Sequence, residues 1–576
     1  MTTPAGLRPV AGAVLLVSLA LADAAHAQFT PPERLGRRDL EETRPPLPEF
    51  APEREPELEL PPLPPPAREP PLSSGVQVFV NAIRLTGNTV FSDEELAPIV
   101  APYVGRAITT EELLDLRDAV TAHYVERGYV NSGAIIPDQE VRDGVVEVQI
   151  VEGRLADIVV NGLTSLEPEF VIERIRLGSG PPLNVNQLRE RIQLLLLDPA
   201  IDQVNARLGP GLRRGEGRLE IDVVEAPRYQ PEFRFANDRS PAVGAEHGEL
   251  TVSFGNILGR SDPLRIQVGA SEGLKDLAVD YSVPLTARDL RFFVSGEITD
   301  SEVVEEPFNE IDVESTSSSL QAGFSWPVIK TLDDELRLEA SLERERSTTS
   351  LLGRRFSFSE GVEDGRSDVT ALRLVQQWQR RSQDQVIALR STESIGLDLL
   401  GATKNSGDVP DGQFFAWLGQ AQFARRLFGS DWQLTLRGDV QLTPDRLLPI
   451  ERIAIGGIDT VRGYRENELV VDNGWIASAE LRIPLGQLAV PGLSQEPDDG
   501  ALQLVPFVDA GGGWNLDAPD PEENVIYAVG AGLRWQPNRR LDLRLDFAPP
   551  LVDVPKPEED DLQDLALYFE LIMRFY

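Results

Sequence analysis

The sequence predicts a membrane β-barrel of about sixteen antiparallel strands, preceded by two small α/β units of β-α-α-β-β order. Three observations predict it. From Phe233 to Tyr576 apolar and polar residues alternate with a period of two in segments of roughly ten residues, the pattern of strands that are greasy outside and wet inside. No stretch beyond the N-terminus approaches the roughly 20 continuous apolar residues of a membrane helix, so a membrane-embedded chain must close as a barrel to satisfy its backbone. Between Val76 and Ala226 the same series of turn, helix and strand signals occurs twice.

In chain order, residues 1–27 read as a secretory signal: Arg8, an apolar run from Val10 to Leu21 and an Ala25-His26-Ala27 ending, with cleavage expected before Gln28. Residues 28–75 read as an N-terminal helix and linker. Pro32 to Glu42 can form one short charged helix, and Thr43 to Leu72, rich in Pro, Glu and Leu, is expected to run as stiff polyproline II. The 93 acidic against 55 basic residues give a net charge of −38, which argues against nucleic acid as a partner. The chain has no cysteine, so disulfides contribute nothing to its stability.

The first repeat, residues 76–153, opens with a strand from Val76 to Leu85 closed by Gly87-Asn88, and a helix follows from Asp93. A second helix starts at Thr109 with the capping box Thr109-x-x-Glu112 and stops at Gly128. Two strands, near Ala134 to Ile136 and Val145 to Glu152, flank the turn Asp143-Gly144. The second repeat, residues 154–228, restates that order: Ile158 to Val160 closed by Asn161-Gly162, helices from Pro168 and from Asn184 or Asn186, then strands near Val204 to Leu208 and Leu219 to Val224.

Residues 229–576 are the barrel. Leu264, Ile266 and Val268 alternate with Arg265, Gln267 and Gly269; Leu541, Leu543, Leu545 and Phe547 alternate with Asp542, Arg544 and Asp546. Lys or Arg on the lipid side near the midplane would cost about 2–4 kcal/mol, so this alternation fixes which face is inward. In the last strand Leu565, Leu567, Phe569, Leu571, Met573 and Phe575 share one face, and Tyr576 follows on the other.

One stretch breaks the strand pattern. Val461-Arg462-Gly463-Tyr464 lies inside GGIDTVRGYRENELVVDNG, and an arginine among glycines between two alternating segments suggests a long loop that returns to the barrel interior. Its natural partner is an inward acid, and Asp509 in Val505-Pro506-Phe507-Val508-Asp509-Ala510-Gly511 qualifies: Leu502, Leu504, Pro506 and Val508 share one face, Gln503, Phe507, Asp509 and Gly511 the other. At these two motifs the chain resembles the transporters of two-partner secretion, the haemolysin-activator and filamentous-haemagglutinin exporter family, in which a VRGY loop is held against an F-x-D-x-G wall. The repeats resemble POTRA domains, most closely over ERGYVNSGAIIPDQEVRDGVVEVQIVEGRL, Glu126 to Leu155.

The resemblance implies a pore in the bacterial outer membrane with its POTRA units in the periplasm, an unfolded secreted haemolysin or adhesin as client, the N-terminal helix as a plug, and a terminal strand read by the outer-membrane assembly machinery. Val461, Arg462, Gly463 and Tyr464 with Phe507, Asp509 and Gly511 become the site residues. The alternative is a barrel insertase, although insertases commonly carry more repeats. No G-x-S-x-G elbow, Walker loop or H-E-x-x-H occurs, and only His123 and His247 lie beyond the signal, so no enzyme activity, cofactor or metal is expected.

Overall fold

The computed structural model describes Arg44, Phe50, Leu58, Glu59 and residues 77–306, 308–555 and 561–576. The signal segment, the helix at Pro32 to Glu42 and nearly all of the proline-rich linker lie outside the described residues. Two compact units divide the chain: Glu53–Arg228 with Gly255–Ser261, and Met1–Pro52 with Tyr229–Phe254 and Asp262–Tyr576.

In the first unit both repeats form. In the first, Ser92 caps the helix Asp93–Val100 and Thr109 caps Thr110–Glu126, both through complete capping boxes with Glu95 and Glu112. These helices bury Leu96, Val100, Leu116, Val120 and Tyr124 against Val146, Val148 and Ile150 of the sheet. The sheet orders Ala82–Thr86, Val145–Val151 and Gly133–Ile135, the first pair parallel. The single opening strand expected here is two, Gln77–Val80 and Ala82–Thr86; the former leaves the sheet to pair with Arg106–Thr109, a strand that the alternation did not reveal.

The second repeat packs helices Pro168–Arg176 and Val185–Leu195 on the strands Arg154–Asn161, Ile201–Pro210 and Glu216–Glu225. Its outer strand Ile201–Pro210 carries an added parallel strand, Leu58–Glu59, from the proline-rich linker.

A shared clamp ends each repeat. Gly87 and Gly162 both turn at φ +84°, and a Cβ on either would stand 2.3 or 2.2 Å from a backbone carbonyl oxygen of the last strand, so only glycine fits. The residues that follow donate to a glutamate at the end of that last strand. Glu225 accepts the amides of Thr164 (2.7 Å), Ser165 (2.9 Å) and Leu166 (2.9 Å) and both hydroxyls. Glu152 accepts the amides of Thr89 (2.7 Å) and Val90 (2.9 Å) and the hydroxyls of Thr89 and Tyr124. Partial burial pushes the Glu225 carboxyl up, but bonds from Ser165, Leu166 and Thr164 outweigh it and bring it down to about 2; the same balance holds Glu152 below the usual range.

In the second unit, sixteen antiparallel strands from Tyr229–Asn237 to Leu567–Arg574 close a barrel among the described residues, the first and last pairing from Glu232↔Arg574 to Ala236↔Glu570. A further two-residue strand, Arg354–Arg355, only extends one hairpin. The alternation is realised in the burial: Val508, Leu545 and Phe547 are exposed toward lipid while Asp509 and Asp546 are buried inside. Leu567–Arg574 turns Tyr568 inward and its neighbouring apolar residues outward, with Phe575 exposed.

Candidate functional site

The strands Trp432–Leu442 and Asn473–Gln487 are neighbours in the barrel, joined by a loop of residues 443–472. Its two arms pair briefly, Ile453–Ile455 with Leu469–Val471, and the loop packs inside the barrel. Ile453, Ile455, Val461, Tyr464, Leu469 and Val471 form an apolar cluster with Phe507, Ile476, Ile526, Ala528 and Ala548 of the wall. Removing this much apolar surface from a wet lumen gives the loop a reason to fold inward that does not depend on charge.

The polar contact is concentrated on Arg462. Its Nε donates to Asp509 Oδ2 at 2.6 Å and a terminal nitrogen donates to Oδ1 at 2.9 Å, a fork matched to both carboxylate oxygens, and its backbone amide adds a third bond at 3.3 Å. The remaining terminal nitrogen lies 3.2 Å from Asp546 and 2.9 Å from Glu480. The guanidinium carbon sits 3.3 Å from the centre of the Phe507 ring, a cation–π contact within a site almost sealed from solvent: Arg462 is 2% exposed and Asp509 0%. Lysine could supply the charge but not the fork or the stacking.

Around this pair the wall carries alternating charge. Asp546 also accepts from Arg534 and, at 2.9 Å, from Arg544, while Glu480 has Arg437 and Arg482 at 4.0 Å. Arg462 therefore enters a field already holding both signs. Removing one member of such a set leaves the others buried and unmatched, at a cost of about 3–5 kcal/mol.

The other motif residues shape the fit. Gly463 has φ +100°, and a Cβ there would stand 2.4 Å from the Ala548 carbonyl oxygen. Its amide donates to Tyr568 Oη at 2.8 Å, and that hydroxyl donates to the Tyr464 carbonyl at 2.7 Å, joining the loop tip to the last barrel strand. Tyr464 Oη donates to the Tyr527 carbonyl at 2.8 Å and accepts the Val552 amide at 3.1 Å. A Cβ on Gly511 would come within 2.7 Å of Ile455 and 2.9 Å of Val461, so this glycine leaves the space the loop fills. Val461 is fully buried in the apolar cluster.

All seven residues singled out in the sequence thus meet at one place. Glu480, Asp546, Arg534, Arg544 and Tyr568 meet there too and were not singled out. Alternation puts Asp546 on the inner face, but periodicity does not say which strand stands beside a loop contributed from elsewhere. Arg44 also reaches the barrel wall: it donates to Asp439 at 2.6 Å and to the Asp459 carbonyl of the loop at 3.3 Å. Phe50 lies under Arg426, whose guanidinium carbon is 4.6 Å from its ring centre.

A closed sixteen-strand barrel with a loop docked on its inner wall, preceded by α/β repeats, defines an outer-membrane transporter with its POTRA domains in the periplasm. The chain belongs to the family of haemolysin secretion/activation proteins ShlB/FhaC/HecB, whose profile matches residues 215–535, and the ShlB-type POTRA profile matches 78–153. It is accordingly a transporter of the two-partner secretion type. Outer membrane transporter CdiB of Escherichia coli is 26% identical over 494 residues, 79% of this chain and 76% of that protein. Heme/hemopexin transporter protein HuxB of Haemophilus influenzae is 24% identical over 44% of this chain and 46% of its own length. Among solved structures, CdiB from Escherichia coli superposes with a TM-score of 0.64 at 22% identity, covering 89% of this chain and 94% of that one, a likeness of fold. BamA from Haemophilus ducreyi lacking POTRA domains 1–3 shares the fold more distantly, with a TM-score of 0.51 at 13% identity, covering 86% of this chain and all of that one.

Proposed function

We propose that the protein captures an unfolded secreted protein in the periplasm by adding a strand of that client to a POTRA sheet, and passes it through the barrel to the cell surface. The observation that carries the capture step is the parallel pairing of Leu58–Glu59 on Ile201–Pro210: this edge accepts an extended segment as an added strand. The client is a secreted protein of the haemolysin class that the family description names, with an adhesin as the other candidate. The Val461 to Tyr464 tip, held by Phe507, Asp509 and Gly511, keeps the loop on the wall during transport. No nucleotide site is part of this reading, so folding of the client outside supplies the direction. The insertase alternative is supported by the barrel fold it shares, without the family match.

Titration of the client's N-terminal region against its distal repeats tests the capture step: the transporter should bind the former and not the latter, and equal affinities would remove the receptor role. We further propose that the segment ahead of Arg44 plugs the pore, supported by the Arg44–Asp439 bond and the Phe50–Arg426 contact. Deleting residues 28–72 should raise single-channel conductance in planar bilayers, and an unchanged conductance would place that segment elsewhere. The outer-membrane assembly machinery is the expected partner for the terminal strand Leu567–Arg574 with Phe575 and Tyr576 during insertion.

A further inference from the structure

The inward loop is fastened at a second point, far from its tip. On the strand Arg366–Arg381, Arg373 points into the lumen and its two terminal nitrogens donate to both carboxylate oxygens of Glu451 at 3.0 and 2.7 Å, while its Nε donates to Glu343 of the neighbouring strand at 2.8 Å. Glu451 belongs to the base of the loop, in the short turn Pro449–Glu451 ahead of Ile453–Ile455. The strand bearing Arg373 and the strand bearing Asp509 are five places apart in the barrel order. Fastened on both, the loop crosses the lumen as a bar.

Beside this bar lies a cavity of about 1040 Å³. Arg373, Glu343, Ile450, Glu451 and Ile453 line part of it, and much of the rest is hydroxyl, amide and charged side chains, Ser295, Ser319, Gln321 and the paired Arg234 and Glu570 among them. Such a surface can bond transiently to any peptide backbone without selecting a sequence. The loop base also rests there on apolar contact, Leu447, Leu448 and Ile450 against Val369, Ala371, Phe414 and Ala416, and the two ion pairs differ in how firmly they hold. Arg373 and Glu451 side chains are 13% and 7% exposed, Arg462 and Asp509 3% and 0%. An ion pair that water can reach contributes less, and costs less to separate, than one sealed in a charged core.

We propose that the Arg373–Glu451 clasp is the gate of the conduit and the Arg462–Asp509 lock its fixed pivot: an extended polypeptide passes through the cavity when Glu451 leaves Arg373 and the loop base swings toward the wall that holds the tip. Arg373 is thereby a positioning residue for transport. The inference rests on the transport reading above.

Because the natural chain has no cysteine, an Arg373→Cys/Glu451→Cys pair can be bridged selectively with a reducible bis-thiosulfonate spacer. The same folded protein is then compared with its clasp shut and released, in planar bilayers, with a synthetic Asn/Ser/Thr-rich peptide added on the POTRA side. Bridging should abolish the large open steps and the peptide block, and reduction should restore both. Glu451→Gln, without any bridge, should lengthen the open dwell times. Equal conductance and equal block before and after reduction would overturn the gate. Gating that follows the bridge with no peptide block in either state would uphold the clasp and remove the transport reading instead.

Discussion

Asp509 in the barrel and Glu225 in the second repeat are both carboxylates that gather several donors, yet they are built for opposite purposes. Glu225 is served by three consecutive backbone amides and two hydroxyls from its own repeat, and the partners sit near it whatever the rest of the molecule does. Asp509 is served by one guanidinium brought from a loop more than forty positions earlier, inside a ring of Glu480, Asp546, Arg534 and Arg544. The first arrangement ties two strand ends of one small repeat together and tolerates water. The second fastens a loop folded into the lumen to the barrel wall and depends on water being kept out, so its loss costs more.

The largest effect is expected where that difference is greatest. Arg462→Ala and Asp509→Ala should each destabilise loop docking by about 3–5 kcal/mol, with the barrel still inserted, and each should impair secretion. Because each residue's loss already strands the other, the double variant should be no worse than either single one in a double-mutant cycle read by secretion and by protease sensitivity of the loop. Strictly additive losses would show that the two act independently and would erase the contrast with Glu225.

A smaller effect is expected from Gly463→Ala, which leaves every charge in place. The unfavourable backbone conformation alone costs about 1–3 kcal/mol, and the close approach to the Ala548 carbonyl adds to it. Loop protease sensitivity should rise while the barrel's heat-modifiable mobility stays unchanged. Unaltered protection would mean that charge, rather than fit, holds the tip.

The smallest effect belongs to the clamp. Glu225→Gln keeps the acceptor oxygen but loses the charge, and should weaken the turn by about 1 kcal/mol, visible as faster hydrogen exchange at residues 164–166. The sign of the pH dependence follows from the lowered carboxyl. With its folded value at about 2 against an ordinary 4.5, Glu225 contributes stability that is complete above 4.5 and is lost as pH falls from there toward 2. Exchange at these amides, corrected for its intrinsic rate, should therefore quicken over that window in the natural protein and not in the Gln variant. A flat profile in both would show that backbone geometry, not the carboxylate, closes the turn.

Much of this was legible in the sequence because it depends on short-range rules. A period of two assigns Asp509 and Asp546 to the inner face and Val508 to lipid, since burying charge in lipid is costly whichever strands are neighbours. The capping box at Thr109 and Glu112 and the glycine turns at Gly87 and Gly162 announce the repeats through contacts spanning only a few residues or one repeat. What the tertiary structure decided is everything that needs two distant segments to meet. Nothing local marks Glu480 as a partner of Arg462, Tyr568 as the residue that binds the loop tip to the last strand, or Glu451 as the counterpart of Arg373. Alternation reports the face on which a side chain lies but not what stands across the lumen, because that is set by strand order, register and closure of the whole barrel.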